Sequence, residues 1–357
     1  MEYASRLGRR ALGTTAENPP VGCVIVKNDV VVGIGWTQPG GRPHAETEAL
    51  AMAGEAARAA TVYVTLEPCA HHGRTGPCAE ALVAAGVGRV VTAFEDPDPR
   101  TAGKGHEILR AAGIEVDTGV GQHQARDALA GFLTRITKKR PQVILKLAIS
   151  ADGKIAEGKG KRTTITGPEA QARVHLLRAQ CDAVLVGLST VLADDPELTV
   201  RLPGLEGRSP VRVVADTRLS IPSHVKLVKT AKELPVWLLA TRSGSVGNDD
   251  IVVIDCRQGK DGWVDMRDAT KRLAQRGINR LLVEGGSHIA RSFLDAGLVQ
   301  RVELYRAPKE LGPQGIDAFA GLDWRRVSRR FRVIAQEKLG ADTLTVYEKP
   351  PGATPAR

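Results

Sequence analysis

The chain has 357 residues, 42% of them apolar and 25% charged, with a formal net charge of +10. That length exceeds one typical core and implies two domains, and the composition excludes a disordered chain. No run reaches the roughly eighteen apolar residues of a membrane helix, and residues 1–10 are charged with no apolar stretch behind them, so neither a membrane span nor a signal peptide is expected. Five scattered cysteines argue against a disulfide framework and for a reducing compartment, by default the cytoplasm.

In chain order, the pattern predicts a helix over 1–15 and a short apolar strand over 21–26. A second strand over 30–36 can pair back through a turn at 27–29. Residues 47–60 are rich in Ala, Glu and Met without Pro, which favours helix. A strand over 61–66, a helix over 79–85 stopped by Gly86, and a strand over 89–94 follow. Such alternation describes an α/β layer fold on a mostly parallel sheet. The boundary falls near Lys139-Arg140-Pro141, giving domains 1–140 and 141–349 and a Pro-rich, disordered tail over 350–357.

The second half alternates again. A strand over 142–148 precedes a helix over 168–180 and strands over 183–187, 211–216, 235–240 and 251–255. A helix over 265–276 leads to a strand over 280–284, and Gly285-Gly286-Ser287-His288 opens a helix running to 296. Strands over 302–305 and 343–347 close the domain, and no internal repeat relates the halves.

Two short stretches carry chemistry in the first half. Pro43-His44-Ala45-Glu46 precedes a predicted helix, and Glu67-Pro68-Cys69 follows a predicted strand, with Cys78 beyond it. One imidazole and two thiolates supply three ligands of a tetrahedral zinc and leave the fourth position for water, which the metal acidifies. Glu46, two residues after His44, stands close enough to move protons without binding the metal. Either stretch alone is a weak signal, and together they match the His-x-Glu and Pro-Cys pattern of zinc deaminases of nucleobases.

These residues resemble the cytidine-deaminase superfamily. The Cys-x8-Cys insert Ala70-His71-His72-Gly73-Arg74-Thr75-Gly76-Pro77, with residues 18–23 and 96–99, is similar to the pyrimidine deaminase of the bifunctional deaminase/reductase family of riboflavin biosynthesis. Gly76 departs from that family, where Pro is expected. His71, His72 and Arg74 put donors and positive charge beside the metal for a ribose phosphate, with loop hydrogen bonds the alternative for the histidines. Asn18 is read either as a substrate contact or as a plain Asx turn.

The second half lacks a Gly-x-Gly-x-x-Gly fingerprint, so a Rossmann domain is not indicated. Its segments, in order, resemble the dihydrofolate-reductase-like domain of the same bifunctional enzymes, which extends the resemblance over nearly the whole chain. The resemblance implies NADPH and reduction of a ribosylamino to a ribitylamino chain. It places Ala148, Thr164, Thr190 and Asp194 on the nucleotide, with the turn Gly286-Ser287-His288-Ile289-Ala290-Arg291-Ser292. Arg162, Arg178, Leu198, Arg201 and Glu284 fall on the substrate side, Arg178 and Arg201 suiting a sugar phosphate. Thr164 and Arg162 are unusual for the family, and Asp152 is a possible helper in proton transfer.

The expected fold is thus an N-terminal cytidine-deaminase-like three-layer domain followed by a dihydrofolate-reductase-like domain. The expected function is zinc-dependent deamination of a phosphorylated diaminopyrimidine, then NADPH-dependent reduction of its ribose. A small phosphorylated substrate is expected rather than nucleic acid or membrane, and a homo-oligomer, dimer or tetramer. Two rival classes remain open from sequence: a nucleic-acid deaminase with a basic accessory domain, and a non-catalytic zinc regulator. The absence of an aromatic-rich basic patch speaks against the first, and Glu46 against the second.

Overall fold

The computed structural model describes residues 1–73, 76–158, 160 and 163–350. The chain divides into two compact units, Met1–Lys139 and Arg140–Arg357. Elements and counts below refer to the described residues.

The first unit runs α1 (Glu2–Arg10), β1 (Gly22–Lys27), β2 (Val30–Trp36), α2 (Ala45–Ala53), β3 (Thr61–Val64), α3 (Cys78–Ala84), β4 (Arg89–Thr92), α4 (Lys104–Ala111), β5 (Glu115–Asp117) and α5 (Gln122–Lys138). Its strands pair in the order β2-β1-β3-β4-β5. The sheet is not mostly parallel as expected: β1 is antiparallel to both β2 and β3, and only β3, β4 and β5 run parallel. The reason is local. Asn28 and Asp29 both take positive φ, 50° and 61°, and make the tight two-residue hairpin that forces β2 to return beside β1. One face of β1 offers Cys23 and Ile25 to a core shared with Ala45 and Ala49 of α2 and Leu82 of α3, while Val24 meets Ala4 and Leu7 of α1 on the other.

Two expected helices are shorter than read. The first stops at Arg10, and the one expected to reach residue 60 stops at Ala53, where Gly54 turns the chain into a short 3₁₀ segment, Gly54–Ala57.

The second unit continues with β6 (Gln142–Ile149), β7 (Lys154–Ala156), α6 (Pro168–Ala179), β8 (Ala183–Gly187), α7 (Leu188–Asp194), β9 (Val211–Ala215), α8 (Lys226–Lys229), β10 (Val236–Ala240) and β11 (Ile251–Asp255). Then come α9 (Met266–Gln275), β12 (Arg280–Glu284), α10 (Ser287–Asp295), β13 (Val299–Arg306), β14 (Ile316–Asp317), α11 (Trp324–Ser328), β15 (Arg332–Leu339) and β16 (Asp342–Glu348). The large sheet has the order β11-β10-β9-β8-β12-β6-β13-β16-β15, parallel from β11 through β13 and antiparallel beyond. Its central strands are buried on both faces, which is why 183–187 and 281–283 read as unbroken apolar runs.

Helices cover both faces of this sheet. Ala269 and Leu273 of α9, with Ala290 and Phe293 of α10, pack on Val143, Leu145 and Val283. Leu177 of α6, Val191 of α7 and Leu227 of α8 pack on Ile144, Val184 and Leu282. Asp265 starts α9 by accepting the backbone N–H of Arg267 at 2.8 Å, satisfying one orphan donor of the first turn.

Candidate active sites

In the first unit the sequence brings three donors to one point. His44 is the N-cap of α2, Cys78 is the first residue of α3, and Cys69 lies on the loop after β3. Gly35 lets α2 lie against β2: a Cβ there would sit 2.1 Å from the Ala45 carbonyl oxygen. The His44 Nδ1 is 3.3 Å from Cys78 Sγ and 3.7 Å from Cys69 Sγ, and all three ligand atoms lie within 4.8 Å of one another. Tetrahedral zinc with ordinary Zn–N and Zn–S bonds holds neighbouring nitrogen and sulfur about 3.6 Å apart. The donor set therefore fits zinc, with three ligands.

Electrostatics in this cluster follow from close packing. The neighbouring Cys78 thiol and the His44 ring hold Cys69 down to about 4, while the closeness of Cys69 and burial push Cys78 up. The Cys78 backbone N–H also donates to the Cys69 sulfur at 3.3 Å. Glu46 is 4% exposed, and burial pushes its carboxyl up to about 7 against the opposing pull of His44.

A cavity of about 240 Å³ opens on these groups, lined by His44, Glu46 and Cys69 together with Asn18, His71 and Asp96. His71 thus joins the site, its Nδ1 3.4 Å from Thr101 Oγ1. His72 does not: its side chain is exposed and faces Glu80 at 3.6 Å. Arg74 and Arg162 lie outside the described residues. Gly76 has nothing within 4 Å of a built Cβ, so the departure from proline relieves no clash.

One part of this site was named only as motif. The Glu67 carboxylate accepts four backbone N–H groups: Asp96 at 3.1 Å and Gly103 at 3.0 Å on Oε2, Gly105 at 2.9 Å and His106 at 3.2 Å on Oε1. It clamps the loop carrying Asp96 to the strand end that carries Cys69. Asp96 accepts the Asp98 N–H at 2.9 Å, and burial pushes its carboxyl up to about 7. The signal available in sequence was a carboxylate at a strand end followed, some thirty residues on, by a loop rich in Asp, Pro and Gly.

In the second unit Glu284 ends β12 and meets Arg178 of α6 in a bidentate pair, 2.5 Å from Nε and 2.9 Å from Nη2. Arg178 Nη1 donates to the Thr199 carbonyl at 3.0 Å. Burial works to raise the Glu284 carboxyl, but Arg178 and Lys146 bring it below the ordinary range. Arg201 is exposed, with Nη1 3.2 Å from Thr199 Oγ1 and 3.4 Å from Glu197. Leu198 is 3% exposed, packs in the core under α6 and holds φ at +58°.

The strand-to-helix turn forms as read. Gly285 takes φ +137°, and Thr190 Oγ1 stands 3.1 Å from where its Cβ would be. Gly286 is the N-cap of α10, Ser287 is buried, and Ile289 lies against Gly187. His288 is exposed, and its carbonyl accepts the Ser292 hydroxyl. Ala290 instead faces the core, and Arg291 turns away to the Ala320 carbonyl and Asp295. Ala148 packs with Tyr305, Asp194 ends α7, and the Thr164 carbonyl accepts Lys309 Nζ. Asp152 accepts the Ser150 hydroxyl and the N–H groups of Leu311 and Gly312, which hold its carboxyl below the ordinary range. In the structure it serves as an acceptor for these loops.

Among the described residues no helix is long and apolar enough to cross a membrane. Residues 1–94 match the family described as cytidine and deoxycytidylate deaminase zinc-binding region, and residues 141–345 match the RibD C-terminal domain. The chain is 39% identical to the riboflavin biosynthesis protein RibD of Aquifex aeolicus, covering 98% of this chain and 97% of that one. It is 40% identical to the Escherichia coli protein of that name, covering 96% of each. The fold superposes on Acinetobacter baumannii RibD with a TM-score of 0.88 at 37% identity, covering 98% of this chain and 97% of that one. A Thermotoga maritima deaminase/reductase gives 0.87 at 35% identity with the same coverage. The chain belongs to the RibD family of riboflavin-biosynthesis enzymes, with a zinc-dependent deaminase in its first unit and an NADPH-dependent reductase in its second.

Proposed function

We propose that the two units act in sequence on one phosphorylated pyrimidine. The first removes the 2-amino group of 2,5-diamino-6-ribosylamino-4(3H)-pyrimidinone 5′-phosphate as ammonia, with water supplying the oxygen. The second reduces the ribose at C1′ to give 5-amino-6-(5-phosphoribitylamino)uracil. The observation that carries this reading is the convergence of His44, Cys69 and Cys78, with His44, Cys69 and the buried Glu46 lining one cavity.

His44, Cys69 and Cys78 would hold the zinc, whose chemistry is to acidify a water at neutral pH. Glu46 accepts the proton released and returns it to the departing amine. A site of purely structural zinc needs no carboxylate buried beside three ligands, so the geometry favours catalysis. In the second unit NADPH supplies the hydride, and the turn at Gly285, Gly286 and Ser287 offers backbone N–H groups to its phosphates. Thr190, Thr164, Asp194 and Ala148 belong to that side in this reading, and Glu284, Arg178 and Arg201 to the substrate side.

The chain would work in the cytoplasm, a reading supported by five free cysteines. A homo-oligomer is part of the same reading: edge strand β15 exposes Val333 and Ile334, and sedimentation would test it. Replacing Glu46 by Ala should cost about 10²–10⁴-fold in ammonia release, while NADPH oxidation with the deaminated substrate continues. Loss of both activities from a folded, zinc-loaded variant would reject the two-site reading.

A further inference from the structure

Three charged side chains stand in a row across the middle of the second sheet. Lys146 of β6 is the register partner of Glu284 on β12 and of Glu303 on β13. Adjacent strands lie about 4.8 Å apart, and register partners present their side chains to the same face. That face is the one covered by α6, which contributes Arg178. Glu303 is 2% exposed, and its Oε2 accepts the hydroxyl of Tyr305, itself fully buried, at 2.9 Å. The Lys146 ammonium lies 5.9 Å from the centre of the Tyr305 ring.

The charges balance: Lys146 and Arg178 against Glu284 and Glu303. They are not equivalent, however. Arg178 has its Nε and Nη2 on Glu284 and its Nη1 on the Thr199 carbonyl, so its fork is engaged. Lys146 is the cation flanked by carboxylates on two neighbouring strands. Strand β12 ends at Glu284, so the row lies at the carboxyl end of that strand, where open α/β sheets receive their ligands.

We propose that Glu303 is a positioning residue of the reductase: with Glu284 it centres the Lys146 ammonium in the crevice at the end of β12, facing the pyrimidine substrate. Tyr305 fixes the Glu303 carboxylate by its hydroxyl. This rests on the reading that places the reductase substrate against Glu284. The groups facing Lys146 are Glu284 from β12, Glu303 and the Tyr305 ring from β13, and Arg178 from α6. Burial pulls the ammonium below the ordinary lysine range, Glu284 and Glu303 oppose that pull, and Arg178 adds to it.

The sign of the effect follows. Removing the Glu303 charge takes away one of the two groups that keep Lys146 protonated, so Lys146 loses its proton at lower pH. A nearby opposite charge favours the charged form of a group, so its removal moves the titration of an ammonium downward. Glu303→Gln keeps the shape and an oxygen for Tyr305, and the deaminase on the same chain reports whether the protein is intact. The measurement is reductase kcat/KM against pH with the deaminated substrate and saturating NADPH. The alkaline limb should begin at lower pH than in wild type, Glu303→Asp should restore it toward wild type, and the NADPH constant should stay unchanged.

A uniform loss at every pH, or a limb that coincides with wild type, overturns the proposal. Glu284→Gln separates it from the underlying reading: retained reduction there rejects the substrate placement itself. Lost reduction in Glu284→Gln with an unmoved limb in Glu303→Gln rejects only the role of Glu303. Should Glu303→Gln fail to fold, the side-chain nitrogen resonance of Lys146 in wild type decides. A titration below the exposed lysines but above neutrality supports the proposal, and a neutral amine at pH 7 overturns it.

Discussion

Glu67→Gln tests whether the deaminase pocket is held to its metal ligands by a single carboxylate. Glu67 accepts two backbone N–H groups on each oxygen, at 2.9 to 3.2 Å, and its side chain is fully buried. Glutamine keeps the volume but replaces one oxygen with an NH₂ that itself donates. Whichever way the amide turns, two of the four N–H groups lose their acceptor and face a donor instead. A hydrogen bond to a charged group contributes about 1.5–3 kcal/mol, so losing two costs about 3–6 kcal/mol. A domain of this size has about 5–15 kcal/mol in total. The loop carrying Asp96 and Asp98 should therefore open while the reductase unit stays folded. The assay is urea unfolding of the variant, followed in parallel by ammonia release and by NADPH oxidation on deaminated substrate. The deaminase transition should move to lower urea, with a raised KM for the diamino substrate and an unchanged reductase. A change below about 0.5 kcal/mol, within the usual range of a surface substitution, would show that the clamp is not what holds the loop.

The same clamp has a steric counterpart in Gly105, where a Cβ would lie 2.0 Å from the Pro68 carbonyl oxygen. Gly105→Ala should lower deaminase kcat/KM at least tenfold with the reductase intact, and equal loss of both activities would refute the local account. Asp96 gives a pH dependence. Its carboxyl is raised by burial to about 7, above an unfolded value of about 3.9, so ionising it costs stability. That cost is absent below pH 4, grows between pH 4 and 7, and amounts to about 4 kcal/mol at most above that. Asp96→Asn keeps an acceptor for the Asp98 N–H, so it should melt higher than wild type at pH 8 and equally at pH 4. Coincident melting curves at both values would reject the assignment.

The legible parts of the molecule were those whose cause is local. His44 and Glu46 are two residues apart on one helix start, and Cys69 and Cys78 flank one loop, so short-range spacing sufficed. Strands 183–187, 251–255 and 280–284 were read with their observed limits because apolar residues dominate each and polar or turn residues bound it. By contrast, no helix or strand was read between residue 97 and the domain boundary, where α4, β5 and α5 lie. The buried face of α5 is Ala125, Ala128, Leu129 and Phe132, a helical spacing diluted by two small alanines. Strand β15 was also missed, since nearly every residue in Arg332–Leu339 is exposed and no alternation marks it. Its strand character comes from pairing with β16, a tertiary fact. The Glu284–Lys146–Glu303 row was invisible for a further reason: its strands are neighbours in space in the order β12-β6-β13, which chain order does not reveal.

Two buried glutamates show how one residue type can serve two chemistries in a single chain. Glu46 has for neighbours an imidazole and two thiols, and burial pushes its carboxyl up to about 7. A carboxyl in that range both accepts and returns a proton near neutrality, which hydrolytic removal of an amine demands. Burial works on Glu284 in the same direction, yet the Arg178 fork and the Lys146 ammonium outweigh it and bring the carboxyl down. Glu284 therefore remains an anion at neutral pH and serves as an acceptor that orients hydroxyl or amine donors. Exchanging the surroundings would exchange the roles: an arginine beside Glu46 would leave it without a proton to return, and Glu284 without Arg178 would be a buried charge inclined to neutralise. What separates the deaminase from the reductase at this level is the supply of fixed positive charge around one carboxylate.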